Sequence, residues 1–192
     1  MRKTYLLAPG PTPVPPEVAL AMAQPVVLHR TPAFSRLYRR VADASAALFG
    51  TSGPVLVMAS SGTGAMEAAV TNTLSPGDRV LVVSGGKFGE RWAAISRAFG
   101  LEVVEIAVEW GRAVDPAEVE AALRRDPSIR AVMVQHSETS TTALHPVQEL
   151  ARLTRDTDVL LLVDGITSVG VVDCPMDATG IDVLLTGSQK AL

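Results

Sequence analysis

The sequence predicts an α/β fold, a mostly parallel sheet with helices on both faces. Three observations carry this expectation. From about residue 55 onward, short apolar runs alternate with amphipathic stretches. The runs are continuous and do not alternate in polarity, as in strands buried on both faces. The intervening stretches open and close on capping and turn residues such as Asp115-Pro116 and Ser75-Pro76-Gly77-Asp78, which is the strand, turn, helix rhythm of such a sheet.

Taken in order, residues 8–16 carry too many prolines for a helix or a central strand and must run extended over a surface. They read either as a leader or as a segment lining a site or a partner subunit. Residues 17–23 suit a short helix after Pro15-Pro16. Thr31 and Pro32 open a second helix that Gly50 ends, with Phe34, Leu37, Val41 and Leu48 on its apolar face. Val55, Leu56, Val57 and Met58 predict a short buried strand, followed by a helix over 64–74. Strands are then expected at 79–83, 101–108, 131–135 and 159–163, with helices at 88–99, 116–125 and 146–155 between them. Residues 169–172 and 183–186 supply two more short apolar segments.

Composition narrows the class. A chain of 192 residues, 47% hydrophobic and 19% charged, can bury one sizeable core. The net charge of −3 and pI near 5.6 give no basic footprint, so nucleic acid is not expected as a partner. The single cysteine, Cys174, cannot form an internal disulfide and suits a reducing cytosol. The start, Met1 to Leu7, reaches Pro9 before any adequate apolar region and fails as a signal peptide. No apolar run approaches a membrane span. The expected location is the cytoplasm. His29, His136 and His145 lack metal-ligand spacing, and no metal is expected.

In such sheets ligands bind beyond the carboxyl ends of the strands, so function is sought there. The first apolar run leads into Ala59-Ser60-Ser61-Gly62-Thr63-Gly64, small residues before a helix, either a phosphate cup or a plain tight turn. A dinucleotide fingerprint fails, because the third glycine is missing and the next strand ends in Ser84 where an acidic ribose ligand is expected. Ser84-Gly85-Gly86-Lys87 brings in Phe88, a stacking face or ordinary core. After the fourth strand, residues 136–142 are dense in hydroxyls. The fifth ends in Asp164, whose burial demands a cation or donors; a magnesium site and a loop cap are the competing readings. Finally Gly187-Ser188-Gln189-Lys190 follows an apolar segment and presents one lysine, either solvated or desolvated enough to form a Schiff base. A phosphate cup, an aromatic face, a buried carboxylate and an amine are together what pyridoxal 5′-phosphate requires.

At these residues the sequence resembles the class V pyridoxal-phosphate aminotransferases of fold type I, in the alanine–glyoxylate and serine–pyruvate branch. The matching pieces are Leu6 to Pro11, Ser61 to Glu67, His136 to Thr141, Leu162-Val163-Asp164 and Gly187 to Leu192. The resemblance implies that Lys190 bonds the cofactor aldehyde and Asp164 pairs with its pyridinium nitrogen. It implies that Ser61, Gly62, Thr63 and Gln189 hold the phosphate, and that Phe88 and Ile166 enclose the ring, with Thr139 near the ring oxygen. Thr142 stands where the family usually has glycine. Amino acid and 2-oxo acid substrates are implied, alanine or serine with glyoxylate or pyruvate, in a ping-pong exchange. A homodimer is implied for the full-length form. Residues 1–16 are expected as an extended N-terminal segment and 17–192 as a cofactor-binding large domain. Family members continue past the lysine into a smaller C-terminal domain that carries the substrate-gripping arginine, so the chain is expected to be truncated there. Rival readings are aspartate- or phosphoserine-type aminotransferases, a cysteine desulfurase using Cys174, a nucleotide-binding dehydrogenase domain, and a non-catalytic form retaining the fold.

Overall fold

The computed structural model describes residues 6–192. The first five residues of the expected N-terminal segment 1–16, and most of the start read as unfit for a signal peptide, lie outside the described residues. Two helices come first, α1 (Pro16–Met22) and α2 (Pro32–Phe49). The Thr31 hydroxyl accepts the Phe34 N–H at 3.3 Å and opens α2, and Gly50 closes it at φ +62°, where a side chain is disfavoured. The helix α3 (Gly62–Thr73) follows.

Five strands then form one sheet: β1 (Arg79–Ser84), β2 (Glu102–Ala107), β3 (Ile129–Gln135), β4 (Leu160–Asp164) and β5 (Val183–Leu185). Their spatial order is β2-β1-β3-β4-β5, and every pairing is parallel. The connecting helices are α4 (Lys87–Ala98), α5 (Pro116–Arg125), α6 (Val147–Thr154) and the single turn α7 (Met176–Thr179), which the sequence reading does not include.

The continuous apolar runs are explained by packing on both faces. Val80, Val82, Ala131, Met133 and Leu162 meet Met66 and Val70 of α3 and Trp92 and Ile95 of α4. The alternate residues Leu81, Val83, Val132, Val134, Leu161 and Val163 meet Val119 of α5 and Val147 and Leu150 of α6. Each such valine, leucine, isoleucine or methionine stabilises the fold by about 1.5–3 kcal/mol when fully buried.

One expected strand is absent. Val55, Leu56, Val57 and Met58 form no ladder, and Leu56 is 79% exposed. Apolar composition favours burial, but a strand needs an edge to pair with, and among the described residues none accepts this run; only Val55 packs on the core. Residues 169–172 are a turn through Gly170 at φ +83°. Leu37, Val41 and Leu48 of α2 are likewise 42–46% exposed, so its apolar face is not covered by described residues. Among those residues no helix is long and apolar enough to cross a membrane.

The strand order reverses between β1 and β3. Such a switch point is where a ligand crevice is expected, at the carboxyl ends of the strands.

Candidate active site

A cleft of about 160 Å³ at these strand ends brings together Ser61, Gly62, Thr63, Phe88, Asp164, Ile166, Gln189 and Lys190. These residues come from loops after different strands and from the starts of α3 and α4. Only the sheet makes them neighbours.

Asp164 is the last residue of β4, in register with Gln135 and Leu185, and only 1% exposed. Its Oδ1 accepts the Ile166 N–H at 2.9 Å, while its Oδ2 has no partner. Burial pushes its pKa up to about 7 from the usual 3.8, against the pull of the Ile166 N–H, of the neighbouring Gln135 side chain and of the Arg91 charge. A carboxylate in that state is poised for a cationic N–H donor.

Lys190 lies in the turn after β5. Its Nζ donates to the Pro9 carbonyl at 3.4 Å. The proline-rich segment is fastened to the same turn, Thr12 N–H donating to the Gln189 carbonyl at 3.2 Å and Thr12 Oγ1 to the Lys190 carbonyl at 2.7 Å. Of the two readings of residues 8–16, this favours a segment lining a site. A Cβ on Gly10 would stand 2.5 Å from Lys190 Nζ, so glycine leaves room for the amine.

The cup is built by α3. Ser61 caps the helix, its Oγ accepting the Gly64 N–H at 3.4 Å. A Cβ on Gly62 would stand 2.7 Å from Ile166 Cδ1, so the glycine admits the close approach of the 164–166 loop. The helix N-terminus leaves backbone N–H groups and a positive dipole end facing the cleft.

Phe88 opens α4, a helix whose N-cap Gly86 has no side chain to cap it. Glu138, fully buried, reaches across from the loop after β3 and supplies the cap instead. Its Oε2 accepts the Phe88 and Gly89 N–H groups, each at 3.1 Å, and its Oε1 accepts the Ser140 hydroxyl at 2.6 Å. The Ser140 hydroxyl in turn accepts the Lys87 N–H at 2.9 Å. Sequence reasoning placed Glu138 in a polar run without a role. Its only signal was a carboxylate among hydroxyls directly after a strand.

Two further residues line the cleft, Met66 and Arg91. Arg91 follows Phe88 by three positions on α4, a spacing that puts both on one helix face. Thr139 does not line the cleft; its hydroxyl sits 3.3 Å from that of Thr167 beside it. Thr142 takes φ +62°, a left-handed conformation that explains why glycine suits this position. His136 and His145 are buried, and burial pushes both their pKa values down, so they are neutral packing groups near neutral pH. Cys174 lines a different hollow, of about 320 Å³, beside the end of α2, and burial raises its thiol pKa. Among the described residues no group of three or more His, Cys, Asp or Glu could hold a metal ion.

The cleft therefore fits pyridoxal 5′-phosphate. The unpartnered Asp164 oxygen needs a donor of the kind a ring N–H supplies, Lys190 offers an amine, and α3 offers an anion site.

Comparison with known proteins gives the family. The family model described as aminotransferase class-V matches residues 4–192. The soluble hydrogenase 42 kDa subunit of Anabaena cylindrica is 44% identical over 191 residues, covering 98% of this chain and 50% of that protein. The L-aspartate–glyoxylate aminotransferase of Paracoccus denitrificans is 38% identical, covering 96% of this chain and 48% of that protein. The crystal structure of alanine–glyoxylate aminotransferase from Nostoc sp. superposes with a TM-score of 0.93 at 34% identity, covering 98% of this chain and 50% of that one. The chain spans about half the length of the relatives it matches. Its sequence, its parallel sheet and this match over nearly the whole length show that the chain belongs to the class V aminotransferase family.

Proposed function

We propose that this chain is the cofactor-binding part of a pyridoxal-phosphate-dependent aminotransferase that moves an amino group from a small amino acid, alanine or serine, to glyoxylate or pyruvate in two half-reactions. The observation that carries the reading is Asp164: a buried carboxylate with one unpartnered oxygen, in the same small cleft as Lys190. In this reading residues 17–192 are the large domain, residues 1–16 an extended segment against it, and the full-length protein works as a cytoplasmic homodimer.

When bound, the cofactor supplies an electron sink for the negative charge left at the substrate α-carbon. Asp164 keeps the proton on the ring nitrogen, because its carboxylate regains through that ion pair what burial takes away. Ser61, Gly62, Thr63 and Gln189 hold the phosphate, which fixes the ring's reach. Phe88 and Ile166 confine the ring and keep water from it. Lys190 would hold the cofactor through its aldehyde, and its Nζ, when free, would accept the substrate α-proton and later return it as general base and acid. Thr139, whose hydroxyl pairs with that of Thr167, would be the residue near the ring oxygen.

Aspartate as the donor is the second reading, favoured by the relative whose name pairs L-aspartate with glyoxylate. A desulfurase reading is weakened by Cys174, which lines a hollow away from the cleft.

The test is to add pyridoxal phosphate and record the visible spectrum of the chain and of Lys190→Ala. The chain should turn yellow and be trapped by borohydride, and the variant should do neither. A variant that keeps both signals would end the assignment. Transamination of glyoxylate with alanine, serine or aspartate then ranks the donors.

A further inference from the structure

Arg91 belongs to no motif in the sequence, yet it stands inside the cleft. Its Nη1 donates to Thr63 Oγ1 at 3.0 Å, across from α4 to the first turn of α3. The guanidinium lies 4.7 Å from the Phe88 ring centroid. Among the described residues it makes no ion pair, whereas Arg79, Lys87, Arg97 and Arg124 all do. A guanidinium without a direct ion-pair partner among the described residues, held over an aromatic ring and bonded to the first turn of a helix, is organised to receive an anion.

The contact also fixes the Thr63 hydroxyl. A hydroxyl that accepts a guanidinium hydrogen bond still has its own proton to donate, and Thr63 lines the cleft. Thr63 is thereby set as a donor. The independent sign that a ligand belongs in this space is the unpartnered, 1% exposed Asp164, which lines the same cleft. Lys190 and Arg91 are the two cations that line the cleft with Asp164.

We propose that Arg91 is an anion-binding residue of this cleft, which recognises a phosphate monoester at the N-terminus of α3 both by its own charge and by orienting the Thr63 hydroxyl toward it. The proposal rests on the cofactor reading above and adds to it a residue outside the Ser61-Gly62-Thr63 motif.

The test compares pyridoxal 5′-phosphate with pyridoxal, which has the same ring and aldehyde but no phosphate. Equilibrium binding to the full 192-residue chain is followed by the visible absorbance of the lysine-bound ligand. Inorganic phosphate serves as a competitor. Arg91→Gln should weaken the phosphate ester by about 10- to 100-fold, the loss of one charge-assisted contact, and leave pyridoxal within about two-fold. Competition by inorganic phosphate should weaken in parallel. Arg91→Lys should recover part of the difference, and Thr63→Val should show a smaller loss with the same selectivity for the ester. Thr63→Val also keeps the test decisive should Arg91→Gln fail to fold. Equal affinity of Arg91→Gln and the unsubstituted chain for the ester overturns the proposal. So does an equal loss for both ligands, which would make Arg91 a support for Phe88 alone. If the unsubstituted chain captures neither ligand, the cofactor reading fails and this one with it, a result distinct from failure of the Arg91 variants.

Discussion

Asp164→Asn isolates the cost of holding a carboxylate in this buried position. In the folded chain its pKa is raised to about 7 from the usual 3.8, with burial as the main cause. A raised carboxyl pKa means that the folded state binds the proton more tightly than the unfolded one. Its stabilising contribution is therefore complete below pH 3.8 and is lost as pH rises through 7. Between pH 5 and pH 8 the loss comes to about 2.5 kcal/mol, from 1.36 kcal/mol per pH unit over the part of the window in which the two states differ in protonation. Asparagine does not titrate and removes this slope. His136 and His145, whose pKa values burial lowers, impose the opposite slope, with stability present above the usual 6.5 and lost as pH falls. That slope is common to both proteins and cancels in their difference. Urea unfolding at pH 5 and pH 8, without cofactor, should show the unsubstituted chain losing about 2.5 kcal/mol relative to Asp164→Asn. Bound cofactor should shrink the difference, because a cationic ring N–H favours the ionised carboxylate. Parallel pH dependence of the two proteins without cofactor would refute the reasoning.

Two further predictions concern the loop after β3. Glu138→Ala removes the acceptor of the Phe88, Gly89 and Ser140 N–H groups, of which the Gly89 contact is buried and the other two partly buried. It should lower stability by roughly 3 kcal/mol, measured as the urea midpoint at constant slope, and Glu138→Gln should restore part of it. A loss below about 1 kcal/mol would mean that α4 does not depend on this cap. Thr142→Gly relieves a β-branched residue at φ +62°. It should raise stability by about 0.5–1 kcal/mol, since the strain released exceeds the extra freedom glycine gains on unfolding. A lower thermal midpoint for the variant would show that Thr142 makes contacts worth more than its strain.

Which parts of the site were legible in the sequence follows from how each residue gets its place. Asp164 and Lys190 end strands or the turns after them, and Ser61-Gly62-Thr63 opens a helix, so chain-local rules locate them before any neighbour is known. The same rules misjudged residues 55–58, because burial of an apolar run is decided by a pairing edge that local composition does not encode. Arg91 and Glu138 lie at the other extreme. Glu138 caps a helix 50 positions earlier in the chain, and Arg91 reaches back 28 positions to Thr63. Both contacts exist only because the strand order β2-β1-β3 sets the loop after β3 beside the start of α4, and α4 beside α3. Pro9 and Lys190, 181 positions apart, show the same dependence, since the segment that composition marks as extended becomes part of the site only by lying on the lysine turn. The residues proposed to carry the chemistry could be found one strand end at a time; those that hold them in register belong to the topology, and their contribution shows only once strands distant in sequence are paired.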